Sequence, residues 1–324
     1  MARIEGVRRQ FDRTLAGTGP VTIDQVESLD ARSHDSARQC VFTPPVEMLC
    51  RLILDLTEVH DLISGRPRPS LQGSLYRVAA RLSALLADEL TVLGEVRQSR
   101  SWHATSCFAA DQTSDIELRA EVRTLGALLP LYYGDPRDAV KIARQAQSMG
   151  TNTGSFASAL APTSEPLGHA QLAAVEDSEA ALSIARDRVS SLDSCFQEES
   201  VFGFSERRWR FYEGKVLSYL GRSDEAWTIH EEALSLYPDD VVGDPALILF
   251  DRAISLVRDR QVNTGCQLAE RSLFELPQEH RTDLFIRAAR RVLTAVPGDQ
   301  RTEAAAQSYR QALRSVSCRF PTTN

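Results

Sequence analysis

Apolar residues recur every three or four positions along most of the chain, and alternation with a period of two is almost absent. One such stripe occupies the segment from Thr43 to Ile63 and consists of Met48, Leu49, Leu52, Leu56 and Val59. This spacing places the five side chains on one face of an α-helix. Short turn signals, such as SGRPRPS at residues 64–70, separate the stripes. The pattern therefore predicts an all-α protein.

Small residues follow a regular spacing in one part of the chain. Gly214, Gly221, Ala226, Ala233 and Pro238 succeed one another at offsets of 7, 5, 7 and 5 residues. This spacing resembles a tetratricopeptide hairpin, in which small residues let two helices approach closely and a proline ends the second helix. Gly221 lies where the turn requires a positive φ. The predicted fold class is an all-α, tetratricopeptide-like helical-hairpin solenoid.

Other segments repeat parts of this spacing. Ala139 and Ala146 are separated by the same seven residues, and Asp135-Pro136 predicts the cap and first residue of their helix. Ala139, Ala226 and Gly265 are equivalent, at intervals of 87 and 39 residues. The larger interval leaves room for one irregular hairpin.

That irregular hairpin lies around residues 167–189 and carries a weaker signal. Pro162 and Pro166 are expected to break its first helix, and its turn contains no glycine. The predicted organisation is an N-terminal helical segment at 1–70, including a basic helix from Arg3 to Leu15, followed by a repeat domain at 71–324. The last helix pair, at 282–316, is a candidate surface for a homodimer.

Composition limits the possible partners and location. The net charge of −7 argues against a nucleic-acid surface over the whole molecule, so no direct nucleic-acid binding is expected. A lone basic helix is more typical of a solvated end than of a DNA reader. Six scattered cysteines without a CxxC pair are typical of reduced thiols, and no long apolar run or signal peptide is present. We expect a cytoplasmic protein with no membrane partner.

No catalytic or metal-binding motif stands out in the sequence. His103 and Cys107 are at helical spacing but have no further ligands, and His230 with Glu231 and Glu232 is interpreted as a solvated helix face. Walker, GxGxxG, GxSxG and kinase signatures are missing from the sequence. We therefore expect no catalytic residues, no metal and no cofactor. An all-α biosynthetic enzyme stays open as the alternative to a non-enzyme.

The candidate binding residues are basic and aromatic side chains on predicted first helices, which line the concave groove of a solenoid. Arginine pairs with carboxylates and aromatic rings stack, so such a groove suits a peptide or an acidic small ligand. Arg208 shares a helix face with Lys215, whereas Arg207 lies on another face. The alternative is that the aromatic residues are core and the arginines solvate the exterior. The candidates are Tyr132, Tyr133, Arg207, Arg208, Phe211, Tyr212 and Lys215.

Five segments carry a wider resemblance. They are TPPVEMLCRLILDLTEVHDLI, SWHATSCFAADQTSDIELRAEV, LPLYYGDPRDAVKIARQAQ, FGFSERRWRFYEGKVLSYLG and ALILFDRAISLVRDR, which together span most of residues 20–300. They resemble the tetratricopeptide-like C-terminal sensor region of actinobacterial helix-turn-helix regulators of the XRE type. The helix-turn-helix domain of those regulators has no counterpart in the sequence, so the resemblance implies a sensing module without its own DNA reader.

The expected function is a regulatory or interaction protein linked to transcription. It would bind a peptide, a partner protein or a small signalling ligand in the concave groove. The second hypothesis is a DNA-associated regulator that acts through self-association or through a separate reader subunit.

Overall fold

The computed structural model describes residues 21–149, 156–190 and 199–317. Within these ranges the regular structure is helical, with no β-strand, which confirms the predicted all-α class. The predicted basic helix from Arg3 to Leu15 lies outside the described residues. The helices are α1 (Ile23–Gln39), α2 (Pro45–Ser64), α3 (Pro69–Leu93), α4 (Val96–Asp111), α5 (Ile116–Gly126), α6 (Leu128–Tyr133), α7 (Pro136–Gln147), α8 (Phe156–Gln171), α9 (Val175–Ser190), α10 (Glu206–Tyr219), α11 (Ser223–Leu236), α12 (Gly243–Arg258), α13 (Val262–Glu275), α14 (Asp283–Ala295) and α15 (Ala304–Ser317), with 3₁₀ turns at Gln278–His280 and Gly298–Gln300.

Side chains cap several helix starts. The Asp135 carboxylate accepts a hydrogen bond from the Arg137 amide at 2.9 Å, and Pro136 is the first residue of α7, as predicted. Asp115 caps α5 in the same way through the Leu118 amide at 3.0 Å. These bonds satisfy amide groups that have no partner within the helix.

Four helix pairs are joined by the same kind of turn. In each pair, one turn residue has a positive φ. The backbone amide of the residue that follows it donates a hydrogen bond to the carbonyl five residues earlier in the chain than that amide. This hydrogen bond is the mark of a Schellman turn. The positive-φ residues are Gly94 (φ 84°), Ala173 (57°), Gly221 (75°) and Arg260 (63°), and the bonds are Glu95 to Leu90, Ala174 to His169, Arg222 to Leu217 and Gln261 to Leu256, at 2.9–3.0 Å.

The irregular hairpin thus has the same turn without a glycine, because Ala173 adopts the left-handed conformation. The small-residue spacing also recurs around all four turns. The position seven residues before the positive-φ residue is occupied by Ala87, Pro166, Gly214 and Ala253. The position five residues after it is occupied by Ser99, Ser178, Ala226 and Gly265. The position twelve residues after it is occupied by Ser106, Ala185, Ala233 and Ser272. In two of the pairs, a serine occupies the position five residues after the turn, and its hydroxyl donates a hydrogen bond to a carbonyl of the facing helix. These bonds run from Ser99 to Ala87 and from Ser178 to Pro166, each at 2.9 Å.

The expected break at Pro162 and Pro166 is wrong. Helix α8 runs through both prolines, which are buried. Each proline removes one helical hydrogen bond. However, α8 packs against α5, α7, α9 and α10, and this burial outweighs the lost bonds.

The first helices of successive pairs pack side by side and form a closed ring. We name α3, α5, α8, α10, α12 and α14 the inner helices; each contacts the next, and α14 contacts α3. At that closing contact Gly94, which follows α3, and Asp283, the first residue of α14, lie very close together, since a Cβ at Gly94 would be 2.6 Å from Asp283 Cβ. The sequence predicted an open concave groove. The structure differs because the return of α14 to α3 closes the groove into a cavity.

Helix α3 is 25 residues long and is buried on nearly all sides in its second half. It packs against α4 and α5, and it also packs against α1 and α2. A helix that is apolar all round is typical of a core position as well as of a membrane span. In the three described ranges, no helix combines the length and apolar composition needed to cross a membrane.

Candidate functional site: the central cavity

A cavity of about 210 Å³ lies inside the ring of inner helices. We name it the central cavity. Its walls come from α3, α6, α10, α12 and α14, and the connections at 40–45, 199–205 and 241–243 cover one side. Residues far apart in sequence therefore meet around one small space.

The structure brings most of the candidate binding residues together here. Tyr132, Arg207, Arg208, Phe211 and Tyr212 line the central cavity. The Lys215 ammonium lies just behind this wall, 5.9 Å from the Tyr132 ring centroid and 5.2 Å from that of Phe211. Tyr133 does not belong to this group and lines a different cavity.

The two arginines, expected on different faces of one helix, reach the same cavity. Arg207 lines the same cavity as Arg208, because the cavity wraps around the first turn of α10. Arg207 is only 5% exposed, so it does not solvate the exterior. Phe211 and Tyr212 are buried, and their rings meet edge to face at 5.0 Å. Phe211 and Tyr212 therefore belong to the hydrophobic core and also form part of the cavity wall.

Both arginines already have acceptors within the protein. Arg207 pairs with Glu199 and lies 4.9 Å from the Tyr237 ring centroid. Arg208 Nη1 donates to the carbonyls of Val201 and Gly203, each at 2.8 Å. The two guanidinium groups therefore hold the 199–205 connection over the cavity.

Arg208→Ala should lower the free energy of unfolding by about 1.5–3 kcal/mol, because buried carbonyls lose charged donors. Amide hydrogen exchange at 199–205 should accelerate at the same time. Arg137→Ala, at a side chain that is 76% exposed, is the control and should cost less than about 1 kcal/mol. Unchanged exchange in 199–205 of the Arg208→Ala protein would contradict the proposed bracing.

Two acidic residues of α3 face the arginines across the cavity. Glu89 is 5% exposed, and among the described residues the Cys40 thiol is its hydrogen-bond donor. Burial, together with the neighbouring Asp88, raises the pKa of Glu89 well above its usual value. Burial and Asp244 raise the pKa of Asp88 to about 6, against the lowering effect of Arg208. Neither carboxylate forms a salt bridge with a cation in the described ranges.

Asp88 and Glu89 are not among the binding residues predicted from the sequence. The available signal was an acidic pair inside the apolar run SALLADELTVL, residues 83–93. Acidic residues are almost never fully buried without a partner, so an acidic pair within such an apolar run marks the position as unusual.

Behind the cavity, Lys215 forms a buried ion pair. Its Nζ lies 3.1 Å from Asp251 Oδ2, and the two side chains are 3% and 5% exposed. Arg291 approaches the same carboxylate at 3.9 Å. Burial alone would raise the pKa of Asp251, but Lys215 and Arg291 outweigh it and the net shift is downward. Lys215 is therefore held by Asp251 and is a structural neighbour of the site.

His230 differs from the interpretation as part of a solvated face. Glu231 and Glu232 are exposed as expected, but His230 is 1% exposed and packs against Gly214. Burial lowers its pKa to about 4. The imidazole is thus neutral at physiological pH and fills the space that the missing side chain of Gly214 leaves.

The remaining spacing residues have structural positions. Ala139, Ala146, Ala226 and Ala233 are at most 1% exposed and lie between packed helices. Gly221 forms its turn, and Pro238 follows the end of α11.

Tyr133 lines an outer cavity of about 640 Å³ between α4 and α7. His103 and Cys107 also line it, and His103 Nδ1 is buried without a hydrogen-bond partner among the residues that the structure describes. Burial lowers the pKa of His103 to about 4. No group of three or more His, Cys, Asp or Glu residues in the described ranges is arranged to hold a metal ion.

Comparisons of the chain with protein-family models, with curated proteins and with solved structures find no match.

Proposed function

We propose that this protein is a tetratricopeptide-like helical-repeat regulator that binds a small signalling ligand in the central cavity and acts in transcriptional regulation through a partner. The observation that carries the proposal is the convergence of five candidate residues on one cavity inside the ring. Small-molecule sites are typically concave, mostly apolar and equipped with a few convergent polar groups. An extended peptide fits less well, because α14 and α3 close the groove.

The ring offers a route from ligand to partner. The cavity walls belong to α3, α10, α12 and α14, so a ligand contacts both sides of the closing contact. A ligand that binds the closed ring more tightly than an opened one shifts the population towards the closed form. The outer helices then present a partner surface that depends on the ligand.

Cellular metabolites that bind should stabilise the protein, by about 2.7 kcal/mol at 100 times their dissociation constant. Thermal unfolding against metabolite fractions, followed by native mass spectrometry of the stabilised sample, measures this. Val92→Phe places a ring in the cavity wall and should abolish the shift, whereas Val175→Phe, at an exposed position, should retain it. An equal shift in both variants would contradict binding in the central cavity.

A further inference from the structure

We propose that the ligand of the central cavity is a small organic cation, a protonated amine with a short apolar body, whose ammonium group is bound by the carboxylates of Asp88 and Glu89. This inference rests on the proposed function and names the chemistry of its ligand. It reverses the acidic ligand that the arginines indicate in the sequence.

The first support is the balance of charge around the cavity. Its lining contains the carboxyl groups of Asp88, Glu89, Glu199 and Asp244, against the guanidinium groups of Arg207 and Arg208. Arg207 is neutralised by Glu199, and Arg208 is engaged by backbone carbonyls. Asp244 accepts a hydrogen bond from the Tyr237 hydroxyl at 3.0 Å. Arg208 keeps its positive charge and lowers the pKa of Asp88, but four carboxyl groups face only two guanidinium groups in this lining. Neither Asp88 nor Glu89 forms an ion pair with a described residue.

The second support is that these two carboxyl groups have lost much of their contact with water, since Glu89 is buried and Asp88 is partly buried. A carboxylate removed from water is costly unless a charged or strong donor replaces the water. Glu89 is 5% exposed, and the donor that it has within the described part of the chain is a thiol, which is a weak donor. An ammonium group has three donors and forms short, charge-assisted hydrogen bonds with carboxylates. It supplies what both groups lack.

The third support is the aromatic wall and the size of the cavity. Tyr132 and Phe211 already lie near one ammonium, that of Lys215, at 5.9 and 5.2 Å. Aromatic faces attract cations, and aromatic edges pack against apolar groups. A cavity of about 150 Å³ holds benzene, so 210 Å³ accommodates a phenyl group with a short chain. A bare metal ion fits poorly, since no suitable group of three ligands exists among the described residues.

Isothermal titration of the full chain with three matched probes tests the charge preference. Phenethylamine should bind with a dissociation constant below about 1 mM, and 2-phenylethanol and phenylacetate, which replace the ammonium by a hydroxyl or a carboxylate group, should bind roughly 10- to 100-fold more weakly. Butylamine tests whether the phenyl ring matters. Equal binding of phenethylamine and 2-phenylethanol, tighter binding of phenylacetate, or no binding of either amine would overturn the inference.

Two variants give a signature that a purely structural role does not produce. Asp88→Asn and Glu89→Gln remove a costly buried charge, so the ligand-free proteins should unfold at a higher temperature than the wild type. Their affinity for phenethylamine should fall roughly 10- to 100-fold. Asp187→Asn, at an exposed position on α9, should change neither quantity. Variants that lose stability, or that keep wild-type affinity, would contradict the assignment.

The pH dependence is a further readout. The pKa of Asp88 is raised from 3.8 to about 6, so its cost to stability grows as pH rises through this interval and is complete above it. Affinity for the amine should therefore rise by up to about tenfold per pH unit as Asp88 ionises below pH 6. The ionisation of Glu89, whose pKa is also raised, adds to this rise. The titratable and charged groups that face Asp88 and Glu89 from other elements are Cys40, Tyr132, Glu199, Arg207, Arg208, Tyr212, Asp244 and His280. A pH-independent affinity below pH 6 would contradict the role of Asp88.

The two proposals fail in different ways. If a metabolite stabilises the protein and Val92→Phe blocks it, but the amines do not bind, the cavity is a ligand site and the cation inference is wrong. If Val92→Phe leaves amine binding intact, the central cavity is not the site and both fail.

Discussion

Lys215→Met should lower the free energy of unfolding by about 3–5 kcal/mol, because it leaves Asp251 buried without its main partner. Lys215 and Asp251 are 3% and 5% exposed, and their 3.1 Å contact joins α10 to α12. Arg291 lies 3.9 Å from the same carboxylate and recovers only part of the loss. Chemical denaturation followed by circular dichroism measures the change.

The chain contains a natural control for this substitution. Lys141 is the only other lysine, and it is exposed on α7. Lys141→Met should change stability by less than about 0.5 kcal/mol. The double variant Lys215→Met/Asp251→Leu should recover most of the loss, since a buried apolar pair avoids the desolvation cost of the charges. A loss at Lys215 no larger than that at Lys141 would show that the ion pair is not needed for folding.

Gly214→Ala should destabilise the protein by about 1–3 kcal/mol, although alanine is the better helix former by roughly 1 kcal/mol. A Cβ at this position would lie 2.4 Å from His230 Cδ2 and 2.7 Å from its Nε2, both closer than any real contact. His230 is 1% exposed, so its ring must shift within the packed interior to make room for the methyl group. Thermal or urea denaturation measures the loss.

Two comparisons separate the steric effect from backbone effects. Gly73→Ala in α3 meets nothing within 4 Å and should stabilise the protein by up to about 1 kcal/mol. His230→Ala combined with Gly214→Ala reopens the space and should cost less than the sum of the two single variants. Simple additivity would mean that the two residues do not compete for the same volume.

The local structure of the hairpins could be predicted from the sequence, because small residues and turn residues determine helix packing and turns among residues that are close in sequence. Gly221, Ala226 and Ala233 have the buried or turn positions that their spacing indicates. The third hairpin gave a weak signal for a physical reason. Ala173 adopts a conformation that usually requires glycine, and serine takes the place of alanine at Ser178, where its hydroxyl bonds to the facing carbonyl.

The candidate site was predictable only in part. The basic and aromatic cluster of α10 is continuous in sequence, so its residues could be found from spacing alone. Asp88 and Glu89 come from a helix more than 100 residues earlier in the chain. They meet Arg208 only because α14 returns to α3 and closes the ring. No local pattern encodes that contact, so the sign of the charge that remains unpaired in the cavity could not be foreseen.

Closure also limits how such a chain can change in length. An open array of hairpins tolerates one unit more or fewer, since each hairpin needs only its neighbours. Here the end of α3 must meet the start of α14, and Gly94 and Asp283 leave no slack between them. Deleting one hairpin, for instance the 39 residues that separate Gly221 from Arg260, would move α14 away from α3. Insertions are therefore confined to the connections between hairpins, and the circumference of the molecule is set by its number of inner helices.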